Sequence, residues 1–111
     1  MERTLKPEEL KTLLQTRKDV VVFDVHRKAD YDADNQKISS AMWLDPEKVA
    51  QWCTALPHDK QIVVYCVRGG SVSNSVLDVL LGKGFKARYI EGGIEAWKGA
   101  GGQTVEKQGI V

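Results

Sequence analysis

Cysteine is scarce in this chain of 111 residues: Cys53 and Cys66 are its only two. Two cysteines cannot build the multi-bridge framework of a small secreted domain. Nor can they complete a four-ligand zinc site, and His26 and His58 stand apart from them without metal-ligand spacing. No metal and no other cofactor is therefore expected. Long apolar runs are missing too, and none approaches the roughly 20 residues of a membrane helix. The opening MERTLKPEEL is charged and lacks the apolar stretch of a secretory signal, so a cytoplasmic location with free thiols is expected. Charge of one sign is absent: 16 basic against 15 acidic side chains leave +1. That balance gives no electrostatic case for nucleic acid or a membrane surface as partner. Internal repeats and low-complexity tracts are absent as well.

Present instead is a 42% hydrophobic fraction, enough to build a core. Val20-Val21-Val22-Phe23 and Ile62-Val63-Val64-Tyr65 are short, β-branched and continuous, as in strands buried on both faces of a parallel sheet. Ala41–Leu44 and Ala87–Ile90 are weaker strand candidates, and Arg3–Leu5 is a candidate edge strand. Helical patterns lie between them. Pro7-Glu8-Glu9 opens one that carries Leu10, Leu13 and Leu14. Pro46-Glu47 opens a second, with Val49, Cys53 and Leu56 on its apolar face. A third spans about Ser71 to Lys83 with Gly84 as its C′ residue, and a short fourth starts near Gly93. Strands alternating with helices predict an α/β fold: an open, mainly parallel sheet of about five strands with helices on both faces. Residues 1–111 are expected to form one domain, with about 99–111 as a flexible Gly-rich tail.

Ligands of such sheets sit at the carboxyl ends of the strands. After Tyr65 the chain reads Cys66-Val67-Arg68-Gly69-Gly70-Ser71 and then enters the third helix. Successive N–H groups of a tight glycine loop converge on an anion, and the helix behind adds unpaired donors and the positive end of its dipole. A thiol in such surroundings gives up its proton more readily and becomes a nucleophile. Arg68 adds a cation to the loop, and the excess of basic side chains lies in the half that begins at Cys66. A lone cysteine closing a strand is ordinarily a small buried hydrophobe. The two glycines, the arginine and the helix start reverse that reading for Cys66 and leave it in force for Cys53.

With these residues in view, the sequence resembles the single-domain members of the rhodanese (thiosulfate sulfurtransferase) family. Cys66, Gly69 and Ser71 match the active-loop pattern Cys-x-x-Gly-x-Ser/Thr. Glu91-Gly92-Gly93-Ile94-Glu95-Ala96-Trp97 matches the C-terminal signature. Asp24-Val25 and Asp30-Tyr31 match the N-terminal pattern, with two departures: His26 stands where the family has arginine, although Arg27 follows, and Gln36-Lys37-Ile38 replaces Gly-His-Ile. The stretch from His26 to Leu44 resembles a subgroup of small bacterial rhodanese-like proteins, some similar to domains linked to chromate resistance. The resemblance implies a three-layer rhodanese-like fold and transfer of sulfane sulfur through a Cys66 persulfide. The donor would be thiosulfate or a protein persulfide; the acceptor would be cyanide, a thiol or a partner protein. Val67, Arg68, Gly69, Gly70, Ser71 and Val72 would bind the substrate anion by backbone N–H groups, with Arg68 steering it and Ser71 capping the helix.

Asp24, His26 and Arg27 are candidates for the edge of the site. The resemblance implies that Asp24 ties loops together, and His26 is expected to be a surface side chain at the mouth. His58, in a turn at the opposite edge, has no assigned role. Trp43, Trp52 and Trp97 are expected to pack against the core, and Asp30–Asp34 to form a solvated face. Two other functions compete. A sulfur-carrier or regulatory module would keep Cys66 without thiosulfate turnover. A cysteine-loop phosphatase or arsenate reductase would need a longer loop and an arginine at the position Val72 occupies, which argues against it.

Overall fold

The computed structural model describes residues 3–16, 19–33, 36–38, 41–66 and 71–106, with backbone alone at 28, 33, 71 and 106. In chain order these form β1 (Thr4–Leu5), α1 (Pro7–Thr16), β2 (Val20–Asp24), α2 (Lys28–Ala33), β3 (Gln36–Ile38) and β4 (Met42–Trp43). There follow a 3-10 turn (Pro46–Lys48), α3 (Val49–Trp52), a second 3-10 turn (Cys53–Ala55), β5 (Gln61–Tyr65) and α4 (Ser71–Gly82). β6 (Lys86–Ile90), α5 (Gly93–Gly99) and β7 (Thr104–Glu106) complete the order.

Five strands form one parallel sheet in the order β1-β6-β5-β2-β4, and β3 and β7 pair antiparallel in a second, two-stranded sheet. The fold is α/β, as the alternation of apolar runs and helical patterns predicts. β5, at the centre, is the most deeply buried strand from Ile62 to Tyr65, because layers cover both of its faces. On one face Leu10 of α1 and Ile94 and Trp97 of α5 pack with Val22, Val63, Tyr65 and Ile38. On the other, Val76, Leu77 and Leu80 of α4 pack with Val25, Ile62, Val64, Ala87 and Cys53. Cys53 is thus a core residue, its thiol 3.7 Å from the Ala50 carbonyl.

Local chemistry explains the helix ends. Glu9 Oε1 accepts the Lys6 N–H at 3.0 Å, one half of a capping box ahead of Pro7. Asp45 Oδ1 accepts the Glu47 N–H at 3.0 Å, and Pro46 follows it at the first turn position. At the end of α4 the Phe85 N–H reaches the Leu80 carbonyl and the Gly84 N–H the Leu81 carbonyl, both at 3.1 Å. This is a Schellman closure, with Gly84 at φ 85° as its C′ residue. The second predicted helix is instead broken into a 3-10 turn, the short α3 and another 3-10 turn.

One expectation is corrected. The Gly-rich segment after Gly99 is not a loose tail through residue 106. Gly102 lies so close to the Trp97 indole that a Cβ there would overlap the ring. Trp97 Nε1–H donates to the Gln103 carbonyl at 2.9 Å, and Thr104–Glu106 then pairs with Ile38–Gln36. Glycine allows close approach to the indole, and the backbone finds its hydrogen bonds in β3. Residues 107–111 lie outside the described part.

The sheet also sets where a ligand would sit. β2 and β5 are neighbours, yet the chain leaving β5 enters α4 on one face, whereas the chain leaving β2 leads to β3, whose Ile38 packs on the other. Connections that diverge in this way open a crevice at the carboxyl ends of the two strands.

Candidate active site

The residues at that crevice are Cys66, directly after β5, and Asp24, Val25 and His26 at the end of β2. Asp24 is in register with Tyr65, and the Val25 N–H donates to the Tyr65 carbonyl at 2.9 Å. The Cys66 carbonyl accepts the Ile94 N–H at 2.9 Å, so the cysteine backbone is held by the first turn of α5. Gly92 and Gly93, at φ 79° and 65°, make that approach, and a Cβ on Gly92 would lie 2.5 Å from Ala96 Cβ. This gives the Glu91–Trp97 segment a physical role: its two glycines turn the chain in the left-handed region and bring a helix start onto Cys66. Cys66 is 7% exposed. α4 begins at Ser71, so the positive end of a 12-residue helix follows the cysteine in the chain.

Asp24 is fully buried and accepts three donors: the His26 N–H at 2.9 Å and His26 Nδ1 on Oδ1, and the Tyr65 hydroxyl on Oδ2 at 3.3 Å. The Tyr65 hydroxyl in turn accepts the Ile38 N–H at 3.2 Å. Burial first, and the neighbouring Asp24 charge second, push the Tyr65 phenol far above its ordinary pKa, so it stays a hydrogen-bond donor. One carboxylate therefore joins β2, β5 and, through Tyr65, β3.

His26 requires a correction. Expected at the surface, it is 1% exposed, with its ring edge-on to Tyr65 at a centroid distance of 5.8 Å. The Asp24 carboxylate draws the imidazole inward, and the Trp43 Nε1–H caps the His26 carbonyl at 2.9 Å. Tyr31 stacks on Trp43 at 4.9 Å, which gives the Asp30-Tyr31 pair a place over this region. The His26 Nε2 atom is buried and has no hydrogen-bond partner among the described residues.

Arg27 is exposed and shares a shallow groove with Glu47, Val49, Val72 and Val76. The structure thus brings Arg27 and Val72 together beside the first turns of α4. Val67, Arg68, Gly69 and Gly70 lie outside the described residues, as does the side chain of Ser71. Ser73 was not among the sequence candidates. It is buried, its Oγ has no partner among the described residues, and it lies in line with Val76, Leu77 and Leu80 on the covered face of α4. Its one sequence signal is that helical spacing, which marks a buried position without marking a function. His58 stacks on Phe85 at 4.0 Å, and Asp59, beside it in the same turn, lines a cavity with Gln61 and Ile62 at the amino end of β5. Among the described residues no group of three His, Cys, Asp or Glu side chains is placed to hold a metal ion. No helix among them is long and apolar enough to cross a membrane.

A parallel three-layer α/β domain with a buried cysteine between its central strand and the following helix defines a class, and the class has a family. The chain belongs to the rhodanese-like domain family, whose model matches residues 6–100. It is similar to a thiosulfate sulfurtransferase, GlpE, of Pseudomonas savastanoi pv. phaseolicola, 29% identical over 97 residues that cover 86% of this chain and 87% of that protein. Among solved structures, a full-length protein from Lactobacillus plantarum superposes with a TM-score of 0.84 at 25% identity, covering 94% of this chain and 88% of the other. A rhodanese-related protein from Thermoplasma volcanium gives a TM-score of 0.80 at 21% identity, over 94% and 98% of the two chains.

Proposed function

We propose that this protein is a sulfurtransferase that carries sulfane sulfur on Cys66. The observation that carries the reading is the position of Cys66: buried at the β2–β5 crevice, with its carbonyl fixed by Ile94 and α4 beginning five residues later. Family membership and the likeness to a thiosulfate sulfurtransferase support the same chemistry. In the first half-reaction the Cys66 thiolate attacks the sulfane sulfur of thiosulfate. The S–S bond of the donor breaks, and sulfite leaves with the electron pair. In the second, a thiol or cyanide attacks the outer sulfur of the persulfide and Cys66 leaves as thiolate. Backbone N–H groups of residues 67–72 are assigned to the persulfide anion, and Arg68 to attraction of the doubly charged donor.

The test is intact mass after incubation with thiosulfate. A gain of about 32 Da on Cys66 that cyanide removes is the expected result; a sulfinic acid has a similar mass but does not yield to cyanide. No adduct, or an adduct on Cys53, would sink the reading.

A further inference from the structure

His26 has one nitrogen too many for a structural histidine. Asp24, acting as acceptor to three donors, places the imidazole proton on Nδ1. In the neutral imidazole Nε2 is then a lone-pair acceptor, and it is buried and unpartnered among the described residues. A polar atom in that state is costly and rare, so a partner absent from the described residues is expected for it. The site is also the right one for chemistry. His26 lies two residues past the end of β2 and Cys66 directly after β5, both buried at the carboxyl ends of these adjacent parallel strands. A carboxylate that orients an imidazole, with the far nitrogen free, is the arrangement of a general base.

We propose that His26 is the base that deprotonates the sulfur acceptor, and hence that the acceptor this site is built for is a protonated thiol. The proposal rests on the sulfurtransferase reading and adds the acceptor class and its proton acceptor. Nε2 takes the proton of R–SH, and the sulfur lone pair attacks the outer sulfur of the Cys66 persulfide. The bond between that sulfur and Cys66 Sγ breaks with its electron pair on Sγ. The products are R–S–S⁻, Cys66 thiolate and a protonated His26, which returns its proton to the departing persulfide or to water. Sulfane sulfur changes carriers without net oxidation. From the Cys66 thiolate, the state in which each discharge leaves the cysteine, the loading step exchanges no proton.

The experiment separates the two half-reactions. Wild type and His26→Asn are first loaded with thiosulfate and followed by intact mass. Asparagine keeps a short N–H for Asp24 and removes the basic nitrogen. Failure of wild type to load overturns the sulfurtransferase reading and this proposal with it. If both load at similar rates, each is discharged at pH 7 into thiols of graded acidity. The expected result is discharge into weakly acidic thiols slowed about 100-fold in the variant, with the deficit vanishing for thiols already ionised at that pH. Equal discharge rates, or one deficit for all thiols, would overturn the base role. His26→Gln gives a second variant for the same series. Wild type alone supplies an independent reading if neither variant folds. Attack by free thiolate loses about half a log unit of rate per unit of thiol pKa. A flatter dependence supports the base, and the full slope overturns it.

Discussion

Tyr65 shows how much one buried hydroxyl can hold together. Its oxygen accepts from the Ile38 backbone and its proton goes to Asp24, so a phenylalanine there would leave a buried carboxylate with one donor fewer and a buried N–H unpaired. Tyr65→Phe is expected to cost about 1–3 kcal/mol at neutral pH, measurable by urea unfolding. The pH dependence follows from the raised phenol pKa. In the unfolded chain the phenol ionises near its ordinary value of 10.0, whereas in the folded protein it keeps its proton. Above that value the unfolded state binds fewer protons, so stability falls as pH rises, by at most about 1.4 kcal/mol per pH unit from this group. Tyr65→Phe should lessen that alkaline loss; an unchanged slope would contradict the assignment. The same neighbourhood shows what a sequence conceals. The tying role of Asp24 came with the family resemblance, not from the apolar strand that it ends. The burial of His26 was not legible, because it depends on a carboxylate two residues away and on Trp43, which arrives from another strand.

The elements that were legible are those stabilised locally. The apolar runs of β2 and β5, the acidic first turn of α1 and the Gly84 stop of α4 each carry their cause within a few residues. Gly84→Ala should therefore destabilise by about 1–2 kcal/mol through its left-handed φ alone, since a Cβ there meets nothing within 4 Å. A loss near zero in denaturant titration would show that this turn relaxes freely. Gly92→Ala belongs to a different case. It adds a collision with Ala96 to an unfavourable φ, at the turn that presents the Ile94 N–H to Cys66. Its expected effect is a drop of about tenfold or more in the rate of sulfur loading, greater than any produced by Gly84→Ala, which lies at the far end of α4. β3 and β7 escaped the sequence reading for the opposite reason. Each is three residues long, and their pairing closes a loop from Gln36 to Glu106 that no local period can announce. α2 is similar: six residues with three charges, held where Tyr31 stacks on Trp43.

At the scale of the whole molecule, the proposed function divides the two cysteines between stability and chemistry. Cys53 is 1% exposed, packed in the core with Val76, Leu77 and Leu80. Cys66 follows β5 where the main chain is tied on two sides: to Val25, just past β2, through the Tyr65 carbonyl, and to Ile94 of α5 through its own. Those ties are made by backbone atoms, so they survive replacement of the side chain. Cys66→Ser should keep the fold within about 1 kcal/mol and lose the thiosulfate-derived mass gain and its removal by cyanide completely. Cys53→Ala should do the reverse: it costs about 1–2 kcal/mol for the small cavity left in the core and retains the full sulfur adduct. The pair is informative because each variant controls for the other. Loss of the adduct in Cys53→Ala at temperatures where the protein remains folded would mean that the second thiol takes part in the transfer. In that event burial in the core would not keep Cys53 out of the chemistry.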